Sequence, residues 1–412
     1  MSNKKMGTSN QQSVGGQGHK PVETSPEKIA GSYLNSIGVK SWRNSGQFQA
    51  YLRKTYGKAA AQPEKSPNER ADGSHTDDFY TIKNRTLDLS IDIASFYVGN
   101  MYRAYIKWFL QENFKTPGRL LDIGCENGIL TCFYAKIFPN SEIVGIDKCA
   151  KAIHCAKELA QRLGLSNIQF EVADINALPA HLTASPFDCI TAVTVFHEVL
   201  SYIQEGESFW SIDDLDFSNR YPEANTAMKT ICALLKPIDG YMVSVDRWSN
   251  ETALVKWLQI LNGASFSINW ERSCALQLPI FEDETERIPV LITGPGLNKQ
   301  ALTTDETLAF CAYLESNEDK LATTIEGSMA EALFRTLMPK TRVWGHQIMY
   351  KDGSGIMRVE IWQAGALAIK YEYTNIGYRR LMFTPKTALT GLMQRSDIET
   401  QAISQDADIS SY

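Results

Sequence analysis

The sequence predicts an α/β protein with a doubly wound, mostly parallel seven-stranded sheet, followed by a C-terminal α+β domain that contains an antiparallel meander. Three observations lead to this prediction. Five short apolar runs alternate with helical segments, two extended runs follow them, and period-2 alternation dominates residues 341–384. Strands that alternate with helices are typical of parallel sheets, whereas alternating residues are typical of half-buried antiparallel strands.

Length and composition narrow the class of protein further. The chain has 412 residues, enough for two or three domains, and its 43% apolar and 21% charged residues exclude a collagen-like, disordered or coiled-coil protein. No run of 18 apolar residues occurs, and no apolar segment follows the basic N-terminal residues as it would in a signal peptide. We therefore expect a cytoplasmic protein without a membrane contact, whose eight cysteines are buried free thiols.

Changes in composition divide the chain into four predicted segments. They are a mostly disordered basic N-terminal extension (1–76), the α/β domain (77–295), an accessory α+β domain (296–400) and a polar tail (401–412). The first 75 residues hold eleven Lys and Arg against five Asp and Glu, among many Gly, Ser, Gln and Asn that cannot offset the entropy of ordering. Within the extension, residues 29–38 and 45–57 have the pattern of short amphipathic helices.

The elements of the α/β domain follow in a regular order. Apolar residues at helical spacing predict one helix from Ser90 to Phe114, which Pro117-Gly118 separates from the first strand. The two extended runs after the fifth strand, 264–278 and 287–294, are typical of a terminal hairpin. The five predicted strands are RLLDIG (119–124), EIVGID (142–147), IQFEVAD (168–174), FDCITAVTV (187–195) and GYMVSVD (240–246).

The accessory domain is predicted to begin with two helices over residues 303–338, of which the second covers 323–337. Turn residues at 352–355, 364–365 and 375–377 then separate four strands of the meander. The polar end of the chain, from about residue 397, is expected to fray.

The first strand leads into a turn that is suited to binding a ligand. Asp122 ends the apolar run, and Gly124 and Gly128 flank a tight turn from which a helix starts at once, so that the helix N-terminus faces whatever lies beyond the strand. The turn is neither the dinucleotide fingerprint G-x-G-x-x-G nor a P-loop. An ordinary tight turn is the structural alternative.

Two further strands end in acidic residues. Asp147 ends the second strand, where a carboxylate can accept hydrogen bonds from a ribose diol. Asp174 and Ile175 follow the third strand and offer an acceptor for an exocyclic amine beside an apolar face for a purine. Helix capping is the structural alternative for the aspartates. Together the three strand ends predict a pocket for a neutral or cationic adenosine ligand rather than for a pyrophosphate.

These motifs make residues from about 80 to 295 resemble a class I S-adenosylmethionine-dependent methyltransferase. LDIGCENG resembles the first motif of that family, GIDKCAKAI its acidic-loop motif, VADI its adenine motif and LLKPIDGYMVSVD its strand-five motif. Glu126 stands where the commoner motif has glycine, and Ile238-Asp239 replaces the first glycine after Pro237. Neither departure changes the expectation of cofactor binding.

The resemblance implies a Rossmann-like transferase that uses S-adenosyl-L-methionine as methyl donor. It assigns the methionine end of the donor to Asp122, Gly124 and Gly128, the ribose to Asp147, and the adenine to Asp174 and Ile175. We expect no metal, since His154, His181 and His346 have no partner at zinc-like spacing.

His197 and Glu198 are the candidate catalytic residues, because they follow the fourth strand at the edge where open α/β sheets bind ligands. Methyl transfer needs proximity, orientation and sometimes a base, so His197 is a candidate general base and Glu198 a candidate anchor for a substrate amine. Capping or packing of the next helix is the structural alternative for both. Further candidates around the acceptor, each with a surface-loop or core alternative, are Trp210, Asp213, Asp214, Tyr221, Tyr97 and Tyr102.

We expect the acceptor to be a small molecule that is methylated at N or O within a biosynthetic pathway. One alternative is RNA or a protein presented by the meander, which carries eight basic and three acidic residues among aromatic ones between 340 and 386. Another is a different S-adenosylmethionine-using transferase or cyclase on the same fold, or a relative that only binds the cofactor. For the meander itself, homodimerisation or a substrate lid is favoured over nucleic-acid binding.

Overall fold

The computed structural model describes residues 25–57, 76–203, 220–248, 251–269, 272–279, 285–295, 323–337, 339–350, 353–365 and 367–406. The predicted first helix of the accessory domain and Cys311 lie outside these residues. The seven cysteines that are described are all free thiols. No helix within the described ranges has the length and apolar character to cross a membrane.

The helices are α1 Pro26–Ser36, α2 Ser45–Tyr56, α3 Thr76–Lys83, α4 Leu87–Tyr97, α5 Gly99–Gln111, α6 Ile129–Ile137, α7 Ala150–Arg162, α8 Phe196–Val199, α9 Pro222–Leu234, α10 Glu251–Gly263, α11 Ser328–Thr336 and α12 Leu389–Asp406. The strands are β1 Arg119–Ile123, β2 Glu142–Asp147, β3 Ile168–Val172, β4 Cys189–Val193, β5 Tyr241–Val245, β6 Ser267–Ile268, β7 Cys274–Pro279, β8 Thr285–Gly294, β9 Thr323–Glu326, β10 Lys340–Met349, β11 Ile356–Ala364, β12 Leu367–Thr374 and β13 Arg379–Pro385.

The first sheet is mostly parallel, as the sequence predicted. Its strand order is β3-β2-β1-β4-β5-β8-β6, with β7 also paired to β8. Strands β1 to β5 are parallel, and β8 runs antiparallel to β5. It has eight strands rather than seven because the run 264–278 forms two short strands, β6 and β7, that both pair with β8. The strand order reverses between β1 and β4, and open α/β sheets bind ligands at such a switch point.

Helices cover both faces of this sheet. Successive residues of a strand point to opposite faces, so Leu120 joins one apolar cluster and Leu121 the other. Residues of α5, α6 and α7 complete the first cluster, whereas α9 and α10 complete the second, with Trp257 fully buried in it. The two clusters hold the carboxyl ends of β1, β4 and β5 in a fixed arrangement.

The long helix predicted from Ser90 to Phe114 is two helices. It breaks at Val98, whose backbone has φ −132° and ψ 4°, and α5 begins at Gly99. Valine and glycine have low helix propensity. The apolar pattern runs across the break because both α4 and α5 face the core.

Two short helices form within the N-terminal extension at the expected segments and pack on the α/β domain. The Tyr33 hydroxyl of α1 donates a hydrogen bond to the Ile129 carbonyl at 2.5 Å. Phe48 of α2 stacks on Phe96 with ring centroids 4.3 Å apart. Residues 25–57 are therefore part of the folded domain, while the bounds of the four predicted segments stay a prediction.

Asp92 of α4 anchors this N-terminal region. Its buried carboxylate accepts hydrogen bonds from the Tyr51 and Tyr56 hydroxyls at 2.8 Å each and pairs with the Lys40 ammonium. Burial, together with the negative charge of Asp92, raises the pKa of Tyr56. One carboxylate thus satisfies three polar groups from the segment around α2.

The second sheet is antiparallel and has the strand order β10-β11-β12-β13-β9. The meander is confirmed, but residues 323–326 form a fifth strand rather than the start of the predicted helix. The β-branched run Thr323 to Ile325 favours a strand, and Gly327, at φ +72°, separates it from α11. Helix α12 runs to Asp406, across the predicted boundary at 400 and into the segment expected to fray.

Helices α11 and α12 pack on opposite faces of this sheet. Ile369 lies in the apolar cluster that contains Ala330 of α11, whereas its neighbour Ala368 lies in the cluster that contains Leu392 of α12. The sheet therefore has a packed layer on each side.

We expect Asp92→Asn to lower the free energy of unfolding by about 1–3 kcal/mol, because the partly buried Tyr51 and Tyr56 hydroxyls and the Lys40 ammonium lose a charged acceptor. The matched control is Asp88→Asn on the same helix, since Asp88 is 66% exposed and pairs with Arg162 at the surface. That change should cost at most about 0.5 kcal/mol. Denaturant unfolding measures both, and equal losses would contradict the anchoring role of Asp92.

Candidate active site

Two glycines shape the turn between β1 and α6. Gly124 has φ +66° and Gly128 has φ +79°, a conformation that glycine adopts without strain. Space is also restricted, because a Cβ on Gly124 would lie 2.5 Å from the Val195 side chain and one on Gly128 would lie 2.9 Å from the Ala156 Cβ. The turn therefore touches both the end of β4 and helix α7.

Asp147 at the end of β2 ties this turn to α7. Its Oδ2 accepts a hydrogen bond from the Glu126 amide at 3.0 Å, and its Oδ1 accepts one from the Cys149 amide at 2.8 Å. Burial raises the pKa of Asp147, although these two backbone hydrogen bonds lower it. Each carboxylate oxygen has a further lone pair that can accept a ligand hydroxyl.

Asp122 lies deeper, between β1, α6 and β4. Its carboxylate accepts hydrogen bonds from the Thr131 hydroxyl at 2.6 Å and the Thr191 hydroxyl at 2.7 Å. Burial raises the pKa of Asp122 to about 6 against the effect of these two hydroxyls. The side chain thus has protein partners on both oxygens, and its assignment to the methionine end of a bound donor stays a prediction.

Asp174 and Ile175 follow β3, and their side chains have different surroundings. Asp174 is exposed, and its Oδ1 accepts a hydrogen bond from the Asn176 amide at 2.8 Å. Ile175 is buried in the apolar cluster on one face of the sheet. Both residues lie at the carboxyl edge of the sheet, as predicted from their place after the strand.

His197 and Asp246 form a pair between the ends of β4 and β5. Asp246 Oδ1 lies 3.0 Å from His197 Nδ1 and also accepts hydrogen bonds from the Val195 and His197 amides, at 3.0 and 3.2 Å. Burial lowers the pKa of His197, but the hydrogen bond and charge of Asp246 outweigh it, so this pKa lies above its ordinary value of 6.5. The sequence reasoning missed Asp246, although it ends its strand as Asp122, Asp147 and Asp174 end theirs.

Helix α3 contributes two residues that carry no sequence signal. The Tyr80 hydroxyl donates a hydrogen bond to Glu198 Oε2 at 2.5 Å, and Lys83 forms a largely buried ion pair with Glu126. Burial raises the pKa of Tyr80 further above the physiological range, as do the charges of Glu198, Glu126 and Asp147. Helix α3 therefore lies near both the glycine turn and the residues after β4.

The remaining predicted candidates do not join this group. Trp210, Asp213 and Asp214 lie outside the described residues. Tyr221 packs on Tyr202 with ring centroids 5.9 Å apart. Tyr102 is buried in the core, and Tyr97 makes edge contacts with Phe48 and Phe79. Nowhere in the described ranges do three His, Cys, Asp or Glu side chains come together as a metal site.

The part of the chain that carries this site resembles a known protein family. Residues 115–276 match the family described as "Methyltransferase domain". This part of the chain is a methyltransferase domain. The predicted resemblance to the S-adenosylmethionine-dependent enzymes is thereby confirmed for the α/β sheet and its glycine turn, whereas the match does not include the second sheet.

Three curated relatives resemble parts of the methyltransferase domain. An (S)-coclaurine N-methyltransferase of Thalictrum flavum subsp. glaucum is 24% identical over 155 residues, which are 37% of this chain and 39% of that protein. A 2-heptyl-1-hydroxyquinolin-4(1H)-one methyltransferase of Mycobacteroides abscessus is 33% identical over 97 residues, 24% of this chain and 41% of that protein. A tRNA (guanine-N(7)-)-methyltransferase of Chloroflexus aggregans is 35% identical over 77 residues, 19% and 33% of the two chains.

The chain thus spans between a third and about two fifths of the length of these relatives. By their names, two of them act on small molecules and one acts on tRNA. The similarity therefore includes methyltransferases with different classes of acceptor.

We expect Gly128→Ala to destabilise the methyltransferase domain, because alanine must adopt a left-handed conformation with its Cβ pressed against α7. The conformation alone costs about 1–2 kcal/mol, and the contact with Ala156 adds to it. Gly164→Ala is the matched control, since Gly164 has φ +65° and nothing within 4 Å of an added Cβ. Gly128→Ala should have a lower melting temperature than Gly164→Ala in thermal unfolding. Equal melting temperatures would show that the close approach to α7 does not affect stability.

Proposed function

We propose that this protein transfers a methyl group from S-adenosyl-L-methionine to a nitrogen or oxygen of a small-molecule acceptor in a cytoplasmic biosynthetic reaction that needs no metal. The observation that carries the proposal is the His197–Asp246 pair, because it lies next to the glycine turn of the methyltransferase domain. Val195, which Asp246 holds through its amide, is the residue that fills the space beside Gly124.

The residues around the turn suit an adenosine ligand. Gly124 and Gly128 give the turn between β1 and α6 the left-handed backbone that it requires, and Asp147 keeps lone pairs for the ribose hydroxyls. We assign the methionine end to the turn with Asp122 behind it, and the adenine to Asp174 and Ile175. When bound, the donor supplies a methyl group on a positively charged sulfur, and the bond from the acceptor atom to that carbon forms as the carbon–sulfur bond breaks and its electron pair stays on sulfur.

His197 is suited to receive the proton that the acceptor loses. A carboxylate can only accept a hydrogen bond, so the short contact with Asp246 Oδ1 places the ring proton on Nδ1 and leaves the lone pair on Nε2. Glu198 accepts a hydrogen bond from Tyr80 with one oxygen and can bind an acceptor amine with the other. We therefore propose His197 as general base and Glu198 as acceptor anchor.

Contacts in the second sheet favour a small acceptor over RNA. Several of its aromatic side chains have protein partners. Trp362 Nε1 and the Tyr373 hydroxyl donate hydrogen bonds to Glu360, and Trp344 Nε1 donates one to Asp397. Several of its cations are paired as well, Arg342 with Glu360 and Arg379 with Glu331. A platform that binds single-stranded nucleic acid needs open rings and unpaired basic groups.

A macromolecular acceptor is the second candidate, and the stretch similar to a tRNA methyltransferase is the observation that favours it. Binding of RNA would weaken steeply with salt, whereas binding of a small acceptor would not. Measuring methyl transfer at two salt concentrations distinguishes the two.

We expect calorimetric titration to show that the chain binds S-adenosylmethionine and S-adenosylhomocysteine, and that Asp147→Ala weakens both by more than about tenfold, or about 1.4 kcal/mol. Asp188→Ala is the matched control. Its carboxylate also accepts two backbone hydrogen bonds, from Gly118 and Arg119 at 2.9 Å each, but it precedes β4 at the opposite edge of the sheet. No binding by the unaltered chain would refute the proposed function.

We expect His197→Gln to slow methyl transfer about 10²- to 10⁴-fold while cofactor affinity stays unchanged. A base acts in its neutral form, and the pKa of His197 is raised, so kcat/KM of the unaltered chain should rise with pH through a value above 6.5. His181→Gln is the control, because His181 is exposed and pairs with Glu171 away from the turn. Rates are measured with labelled donor and the best acceptor from a panel of amines and alcohols. A pH profile that survives in His197→Gln would exclude this residue as the base.

A further inference from the structure

The Asp246 carboxylate has one oxygen with no partner. Oδ1 receives three contacts, from the Val195 amide, the His197 amide and the His197 ring. Oδ2 is shielded from solvent and has no hydrogen-bond partner, and the residue is 2% exposed. A buried carboxylate oxygen without a donor is costly, and such groups in folded proteins call for an explanation such as a ligand or a water.

The position of this oxygen points to the acceptor. Asp246 directly follows β5 at the carboxyl edge of the sheet, beside the loop after β4. In that loop Thr194 has φ +59°, an uncommon and strained conformation for a β-branched residue, and its amide donates to the Val245 carbonyl at 2.7 Å. Strained residues cluster at active sites and at places where ligands bind.

We propose that Asp246 Oδ2 accepts a hydrogen bond from an N–H of the methyl acceptor, and that the acceptor is therefore an amine. This inference rests on the proposed function, names its substrate class and adds Asp246 to the residues that touch the substrate. The acceptor nitrogen enters as an ammonium or a neutral amine, and it keeps at least one N–H on Asp246.

The number of protons on the acceptor atom distinguishes amines from hydroxyl compounds. An ammonium gives one proton to His197 and becomes a neutral amine that still has N–H groups for Asp246. The lone pair that this frees on nitrogen then forms the bond to the methyl carbon, as the carbon–sulfur bond breaks and its electron pair stays on sulfur. A hydroxyl has one proton. Once His197 has taken it, the oxygen carries negative charge beside a buried carboxylate, and like charges repel strongly there.

The charges at this edge agree with a cationic acceptor. Among the described residues near this edge, Lys83 is already paired with Glu126 and Arg247 with Glu286. His197 contacts Asp246 through Nδ1 and is neutral when it acts as a base, so Glu198 and Asp246 then contribute negative charge to the site. A carboxylate-rich pocket attracts an ammonium ion.

Asp246→Asn tests this assignment with little change of shape. Three donors point at the Oδ1 position, so the amide oxygen of asparagine must occupy it and the NH₂ group must take the place of Oδ2. The variant keeps the loop and the orientation of His197 but presents a donor to the acceptor. Asp188→Asn, at the opposite edge of the sheet, is the control.

Benzylamine and benzyl alcohol are suitable probes, because they differ only in the group that meets Asp246. Calorimetric titrations use the full chain saturated with S-adenosylhomocysteine. We expect benzylamine to bind at least tenfold more tightly than benzyl alcohol, Asp246→Asn to abolish this preference, and Asp188→Asn to keep it.

The inference is overturned if the two probes bind equally, if benzylamine fails to bind a chain that does bind S-adenosylhomocysteine, or if Asp246→Asn retains the affinity for benzylamine. The last result would mean that a water satisfies Oδ2 and that Asp246 only positions His197, which an NMR titration would show as a lowered imidazole pKa without lost binding. The comparison of the two probes on the unaltered chain stands even if the variant does not fold. A chain that binds no S-adenosylhomocysteine would instead refute the proposed function itself.

Discussion

The hydrogen bonds from Val195 and His197 to Asp246 Oδ1 hold together the parts of the candidate site. They fix the loop after β4 against the end of β5, and the loop in turn presses Val195 into the space that Gly124 leaves open. The glycine turn and His197 are therefore linked through one carboxylate and one side chain. They meet at the switch point of the sheet, where the ends of β1, β4 and β5 are neighbours.

The sequence predicts most of this fold because strands β1, β2, β4 and β5 are largely buried and therefore form short apolar runs between helical segments. Where local pattern and tertiary contact disagree, the prediction fails. The apolar periodicity of α4 and α5 is continuous although the backbone breaks at Val98. Residues 323–326 precede a helical pattern in the sequence, but their β-branched side chains and their pairing with β13 make them a strand.

The candidate site shows the same limit. Motif spacing places Asp122, Gly124, Gly128 and Asp147 around one turn, yet it cannot tell that two threonine hydroxyls occupy the Asp122 carboxylate. Tyr80 reaches Glu198 across 118 positions and Asp246 reaches His197 across 49. Contacts of this range depend on how helices and loops pack over the sheet, and motif spacing does not show which side chains meet.

The backbone near the glycine turn is strained, and contacts from the helices before β1 stabilise it. Glu126 and Thr194 both have positive φ, which costs a residue with a Cβ on the order of 1–3 kcal/mol and persists only where the surroundings determine it. A chain of hydrogen bonds runs from Asn127 to Ser90, from Ser90 to Asn84 and from Asn84 to the Tyr80 carbonyl. The Tyr33 hydroxyl of α1, which donates a hydrogen bond to the Ile129 carbonyl, also stabilises the start of α6. The helices before β1 therefore stabilise the backbone conformation that the turn requires.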